Sequence, residues 1–238
     1  MSRRFYKHAV TAPTDGNFWR VELDGKPVKT PTGKPLAVAQ KSLADRISAE
    51  WEAQVDDIKP ETMPVTRLTG VALERADSRD DLVADIRAYA STDLLSYRAD
   101  APDDLVERQV AAFDPLLKWV TSYGMTLRTT IGVVAIEQDP LSLDRMSDHA
   151  RLYDDLSLTL YTHLTATFGS AVLALAVMQG RTEPGEAYDI SRLDELYRMD
   201  IWGVDEEAEA RASAIRAETV AICAVLADIE VPKLETSA

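Results

Sequence analysis

Three histidines, one cysteine and 40 carboxylates are the side chains of this sequence best suited to metal, nucleophilic or acid–base chemistry. His149 and His163 lie fourteen residues apart, too far to share a helical turn, and His8 is remote from both. With no HExxH and no cysteine pair, the ligand spacings of zinc sites are missing, so no metal or cofactor is expected and each histidine reads as structural or superficial. FGSAV, at Phe168 to Val172, is not the G-x-S-x-G turn that presents a nucleophilic serine. TPTGKP, at Thr30 to Pro35, has a Gly-Lys without the upstream glycine or following Ser/Thr of a phosphate loop. Cys223 lies in the apolar run TVAICAVLADI and is expected as a buried small hydrophobe.

Carboxylates remain, and paired acids can divide the work of general acid and base. The run Asp205-Glu206-Glu207 has a ready structural use, since acids in a first helical turn complement the dipole and cap free N–H groups. It also follows Trp202-Gly203, and exposed acids beside a large aromatic suit a basic patch on a partner. The segment from Ile86 to Trp119 is similarly rich in aromatics, acids and charge pairs, yet holds no histidine, cysteine or glycine-rich loop. Aromatic anchors among polar groups favour recognition over catalysis. The alternative that keeps chemistry is a small-molecule enzyme with paired carboxylates in an interdomain cleft. It requires a concave pocket with convergent acids of shifted pKa.

The elements that must position these residues fall into two parts. In residues 1–40, FWRVEL alternates Trp19, Val21 and Leu23 on one side and meets the hairpin signal Asp24-Gly25, so a small β unit is expected. Its charge balance is +4, against −18 for the remaining 198 residues. From 41 to 238 the period becomes helical, giving an α+β protein. Ser42 is a plausible N-cap for a helix whose stripe is Leu43, Ile47, Trp51 and Val55. Pro64 opens the next helix, and Ser78 precedes another with Asp80 and Asp81 in its first turn. The helix after Ala101-Pro102 ends near Gly124, and Pro115 inside it predicts a kink or two abutting helices. MTLRTTIGVVAIEQDPLS reads as an irregular or short β connection. A long helical stretch from Ser142 to Gly180 follows, interrupted at Gly169, and within it AVLALAVM is apolar all round and predicts a buried central helix. The last segment carries a stripe through Ile215, Val220, Ile222 and Leu226. Trp51, Tyr97 and Trp119 are expected in the core.

A net charge of −14 over 238 residues disfavours nucleic acid and anionic membranes as partners. Hydrophobic residues at 46% are enough for a sizeable core, and no apolar run reaches the roughly 20 residues of a membrane span.

Several blocks, in order, resemble the Atp12 family, assembly chaperones of the F1 sector of ATP synthase. They are RFYK and LDGKPVKTP; EWEAQ with Glu50, Trp51 and Gln54; and TDLLSYR with Asp93, Tyr97 and Arg98. Q-x4-DPLLKW with Gln109, Asp114, Pro115 and Trp119 follows, and then the late Trp202-Gly203. The resemblance implies a β-rich N-terminal domain, a larger helical domain and no enzymatic activity. It also implies binding of the free F1 α subunit, shielding its contact surface until the hexamer forms. The family's functional acid after the WG pair is placed on Glu206, with Asp205 and Glu207 as neighbours. The other matched residues are assigned to holding the helices, an Asp93–Arg98 ion pair being one way to do so. The start close to RFYK fits a bacterial-type, cytoplasmic member that is monomeric when free.

Overall fold

A computed structural model describes residues 2–234 and divides the chain into two compact units. One runs to Ser78 and includes Ala221–Glu230; the other comprises Arg79–Val220 and the segment from Val231 onward.

The first unit opens with β1 (Ser2–Arg3), β2 (Ala9–Pro13), β3 (Trp19–Leu23), β4 (Lys26–Pro27) and β5 (Ala37–Val38). Strand β3 pairs antiparallel with β2, with β4 and with β5. Asp24 and Gly25 take φ of 48° and 80° at the β3–β4 turn, the left-handed pair that matches strand twist. Val21 and Leu23 are buried, as their alternation requires. Helix α1 (Lys41–Glu52) lays Leu43 and Ile47 over this sheet, followed by β6 (Asp57–Ile58), which pairs with β1, and by α2 (Pro64–Glu74), with Pro64 at its start. Helices begin where the sequence period changes, at Lys41, but the compact unit continues to Ser78 because α1 packs on β2 and β3.

Two local expectations fail here. Gln40, not Ser42, occupies the N-cap of α1 and makes no side-chain cap. The helix also ends at Glu52, leaving Val55 77% exposed outside the stripe. Gln54 causes that stop: its amide donates to Glu50 O and Thr62 Oγ1 and accepts from Lys59 N, turning the chain into a closed loop.

Glu50 then caps the neighbouring helix. Its Oε1 accepts from Val65 N at 2.9 Å, and its Oε2 accepts from Thr66 N at 2.8 Å and Thr66 Oγ1 at 2.7 Å. These satisfy first-turn N–H groups of α2 that Met63 at the N-cap leaves without a side-chain acceptor. Glu50→Ala is expected to lower stability by about 1–2 kcal/mol, read as a reduced urea midpoint with accelerated hydrogen exchange in Val65–Thr69. The RFYK block is structural as well. Arg4 donates to the carbonyls of Glu52, Gln54, Tyr6 and Lys7, and the Tyr6 hydroxyl donates to Trp51 O at 2.6 Å.

The second unit is helical around a buried rod. It contains α3 (Arg79–Ser91), β7 (Tyr97–Arg98), α4 (Asp103–Thr121), β8 (Thr130–Ile131), α5 (Pro140–Arg151), α6 (Asp155–Phe168), α7 (Ala171–Met178), α8 (Pro184–Ser191) and α9 (Leu193–Trp202). Most of α10 (Glu206–Cys223) also belongs here. All eight residues of α7 are buried, against α6, α3, α4 and α8. Gly169, at φ 63°, ends α6 in the left-handed conformation. The expected long stretch breaks a second time at residues 152–154, where the side chain of Asp154 restarts the helix by accepting from Ser157 N at 2.7 Å. Strand β8 is the short β piece of the 125–142 connection and pairs in parallel with β7.

Helix α4 runs through Pro115 as one helix, so the two-helix expectation fails; Pro115 lies on its exposed side. The terminal stripe divides: Ile222 is buried, while Ile215 and Val220 are 40% and 43% exposed.

Candidate functional site

Helix α9 ends because Gly203 takes φ 91° and ψ 170°, a region closed to side chains. The resulting corner projects Trp202, 77% exposed, with Ile201 and Val204 also exposed. Asp205 is committed to capping, since its Oδ1 accepts from Glu207 N at 3.0 Å and Ala208 N at 3.2 Å. Glu207 pairs with Arg211 at 2.8 Å one turn on. Glu206 is exposed and, among the described residues, its carboxylate has no hydrogen-bond or ion-pair partner. Of the three acids it is the one whose carboxylate is not already engaged.

A polar frame sets the direction of this corner. Asp194, Tyr197 and Asp200 recur every three residues along one face of α9 and meet α4. Gln109 Nε2 donates to Asp194 at 2.7 Å, the Tyr197 hydroxyl donates to Asp104 at 2.7 Å, and Arg108 pairs with Asp200 at 2.8 Å. Gln109 is buried, and its Oε1 accepts from Ala99 N at 2.8 Å. Arg98 completes the frame by donating to Gln109 O at 3.0 Å and to Asp114 at 2.8 Å. The sequence blocks of Arg98, Gln109 and Asp114 thus converge on α4 and, through it, on the helix that ends in Trp202.

Asp93 is not the partner of Arg98. Its side chain lies at the N-terminus of α7, where Oδ1 accepts from Ser170 Oγ at 2.7 Å and Leu95 N at 3.0 Å, and Oδ2 accepts from Val172 N at 3.1 Å. Apart from Leu95 N, its partners are 77 and 79 residues away, a distance at which sequence spacing carries no signal. Burial pushes its pKa up to about 6, against which these hydrogen bonds act. It is fully buried, so this shifted carboxyl is sealed from any substrate. His149, likewise buried, has its pKa pushed down to about 4 by desolvation, and its Nε2 lies 3.0 Å from the Tyr153 hydroxyl. Cys223 is buried as expected, which pushes its thiol up to about 12. Among the described residues no cluster of His, Cys, Asp or Glu could hold a metal ion.

The aromatics are less buried than expected. Trp51, Tyr97 and Trp119 are all half-buried, and Trp119 lies against Tyr123 and under Arg181. Helices α8, α9 and α10, with Arg108 of α4, line an open depression of about 640 Å³ that includes Ile190, Leu193, Leu196 and Val220. At its edge the Arg216 guanidinium forks onto Asp189 at 2.9 Å through two nitrogens. The pattern missed Asp194, Tyr197 and Asp200, although their spacing of three on a helix with one buried residue, Tyr197, was a readable sign of a polar contact face.

An exposed tryptophan and an unengaged glutamate thus lie at a corner whose helix is tied to α4 by three polar contacts. The ATP12 chaperone protein family model matches residues 3–121. The chain belongs to this family, whose members are chaperones of F1-ATPase assembly. It is similar to the crystal structure of Atp12 from Paracoccus denitrificans, with 38% identity and a TM-score of 0.88 over 95% of this chain and 97% of that one. An aspartate-to-lysine variant of the same protein matches at 37% identity, with a TM-score of 0.88 and the same coverage. The mitochondrial atp12 protein of Schizosaccharomyces pombe is 22% identical over 220 residues, 87% of this chain and 75% of the relative.

Proposed function

We propose that this chain binds the unassembled α subunit of F1 and covers its subunit-contact surface until the hexamer forms, transforming no substrate. The observation that carries the reading is the corner at Ile201 to Glu207: an exposed tryptophan with an uncommitted glutamate beside it, fixed by the α4–α9 frame. An aromatic anchor ringed by acids fits an apolar recess with a basic rim. A moderate, partly polar interface of this kind resists aggregation yet yields to the true neighbour.

Trp202, Asp205, Glu206 and Glu207 form the contact in this reading, and Gly203 shapes it. The free protein is a monomer acting in the bacterial cytoplasm. A net charge of −14 opposes self-association, and among the described residues no helix is long and apolar enough to cross a membrane. The test is coexpression with F1 α subunit, measuring soluble complex and its stoichiometry. Soluble α at one copy per copy of this chain is expected, and α aggregation unchanged by the chain overturns the reading.

A further inference from the structure

The first unit is not made from one stretch of chain. Residues up to Ser78 are completed by Ala221–Glu230, a segment that follows most of the second unit in sequence. It consists of the end of α10, a 3-10 turn at Ala224–Ala227 and a short irregular stretch. Ile222, Cys223, Val225 and Ile229 are buried. Of its two acids Glu230 is exposed, whereas the Asp228 side chain is only 7% exposed. Arg46 of α1, in the same unit, pairs with Asp228 at 2.5 Å across 182 residues of sequence. A carboxylate so far out of water depends on that partner, because losing either charge leaves the other buried and unpaired.

Both ends of the segment are held in the second unit. Before it, α10 up to Val220 belongs there, and after it the chain from Val231 belongs there again. The return is fastened by Gln179 at the C-terminal end of α7: its Nε2 donates to Pro232 O at 2.8 Å, and its Oε1 accepts from Leu234 N at 3.3 Å. A frayed terminus drifts off when its contacts break. This segment cannot, so its release is an intramolecular event that reverses readily.

We propose that Ala221–Glu230 is a reversible latch on the first unit. It opens by parting Asp228 from Arg46 and bringing Cys223, Val225 and Ile229 into water, with both ends retained and the second unit still folded. Little opposes that motion. The 3-10 turn has poor hydrogen-bond geometry, the buried side chains are few, and the segment lies outside every sheet of the described residues. The N-terminal part has its own sheet of β2 to β5 under α1, so the latch is the element of this unit that opens at least cost. Nothing in it depends on which protein the corner binds.

Cys223, the one cysteine of the chain, reads the latch directly. Its thiol is buried when the latch is closed and meets reagent when it is open. The full wild-type chain is labelled with dithiobis(nitrobenzoate) at rising urea, below the unfolding transition. Labelling is expected to depend on urea about half as steeply as global unfolding or less, because the slope follows the surface exposed. Asp228→Arg is expected to speed labelling about tenfold or more, and adding Arg46→Asp to bring it back within about threefold of wild type. Hydrogen exchange at Val172–Leu175 stays at the wild-type rate throughout, since α7 belongs to the unit that does not open. Wild-type labelling as steep in urea as global unfolding overturns the proposal, and so does a double variant labelled as fast as the single one. Faster exchange in α7 alongside faster labelling overturns it equally, because the thiol is then exposed by unfolding of the whole chain.

Discussion

Asp93→Ala is expected to destabilise the second unit by about 3–5 kcal/mol, the range in which a buried polar network is broken by losing one member. Three donors converge on this carboxyl, two of them backbone N–H groups and one the Ser170 hydroxyl. All lie where water does not reach, so removal of the acceptor leaves two unpaired at the head of the buried α7 and one, Leu95 N, in the turn after Asp93. The measurement is the urea midpoint together with hydrogen exchange of Val172–Leu175. An unchanged midpoint and unchanged exchange would show that the network is not what seats α7.

The same carboxyl makes a signed prediction about pH. Its folded pKa of about 6 lies above the ordinary aspartate value of 3.8. Between these values the folded state binds more protons than the unfolded state, so stability contributed by this group falls as pH rises from 4 to 6 and is level above that. The ordinary salt-bridged acid, with a depressed pKa, behaves in the opposite sense. A shift of about two units corresponds to about 3 kcal/mol across that window. Asp93→Asn has no titration and should flatten this part of the stability profile. It should also cost stability throughout, because the amide offers one acceptor oxygen where the carboxylate offers two. A profile of Asp93→Asn parallel to that of the wild type would refute the assignment.

Substitutions at the corner are expected to have the largest effects on client holding. Glu206→Lys should lower affinity for F1 α subunit about tenfold or more. Most of the loss should be in the association rate and should shrink as salt rises, as for a rim charge meeting an opposite patch. Trp202→Ala should cost about 2 kcal/mol or more, mainly through faster dissociation, as for an anchor residue. Both positions are exposed, so the thermal midpoint should barely move. This separates them from Asp205→Ala, which removes the cap of α10 and should lower stability and binding together. Surface plasmon resonance at two ionic strengths distinguishes these patterns. Salt-independent binding by the wild type would remove the electrostatic half of the proposal.

What the sequence determined by itself is whatever is carried by neighbours within a turn or a hairpin. The Asp24-Gly25 turn, Pro64 at a helix start, the break at Gly169 and the buried α7 were all legible, because each depends on φ preferences or on an apolar period read over a few residues. The switch from strands to helices at Lys41 was legible for the same reason.

Tertiary structure alone decided the polar partners. Asp93 met Ser170 and α7 instead of Arg98; Arg98 met Asp114; Gln109 reached Asp194 across 85 residues. Exposure was decided there too, leaving Trp202 and the Ile131–Val134 loop in solvent while Trp51 and Trp119 were half covered. The physical reason is the range of the interaction. A hydrogen bond between side chains has no period and no sequence distance, so its partner is fixed only when packing of the apolar faces brings two helices side by side.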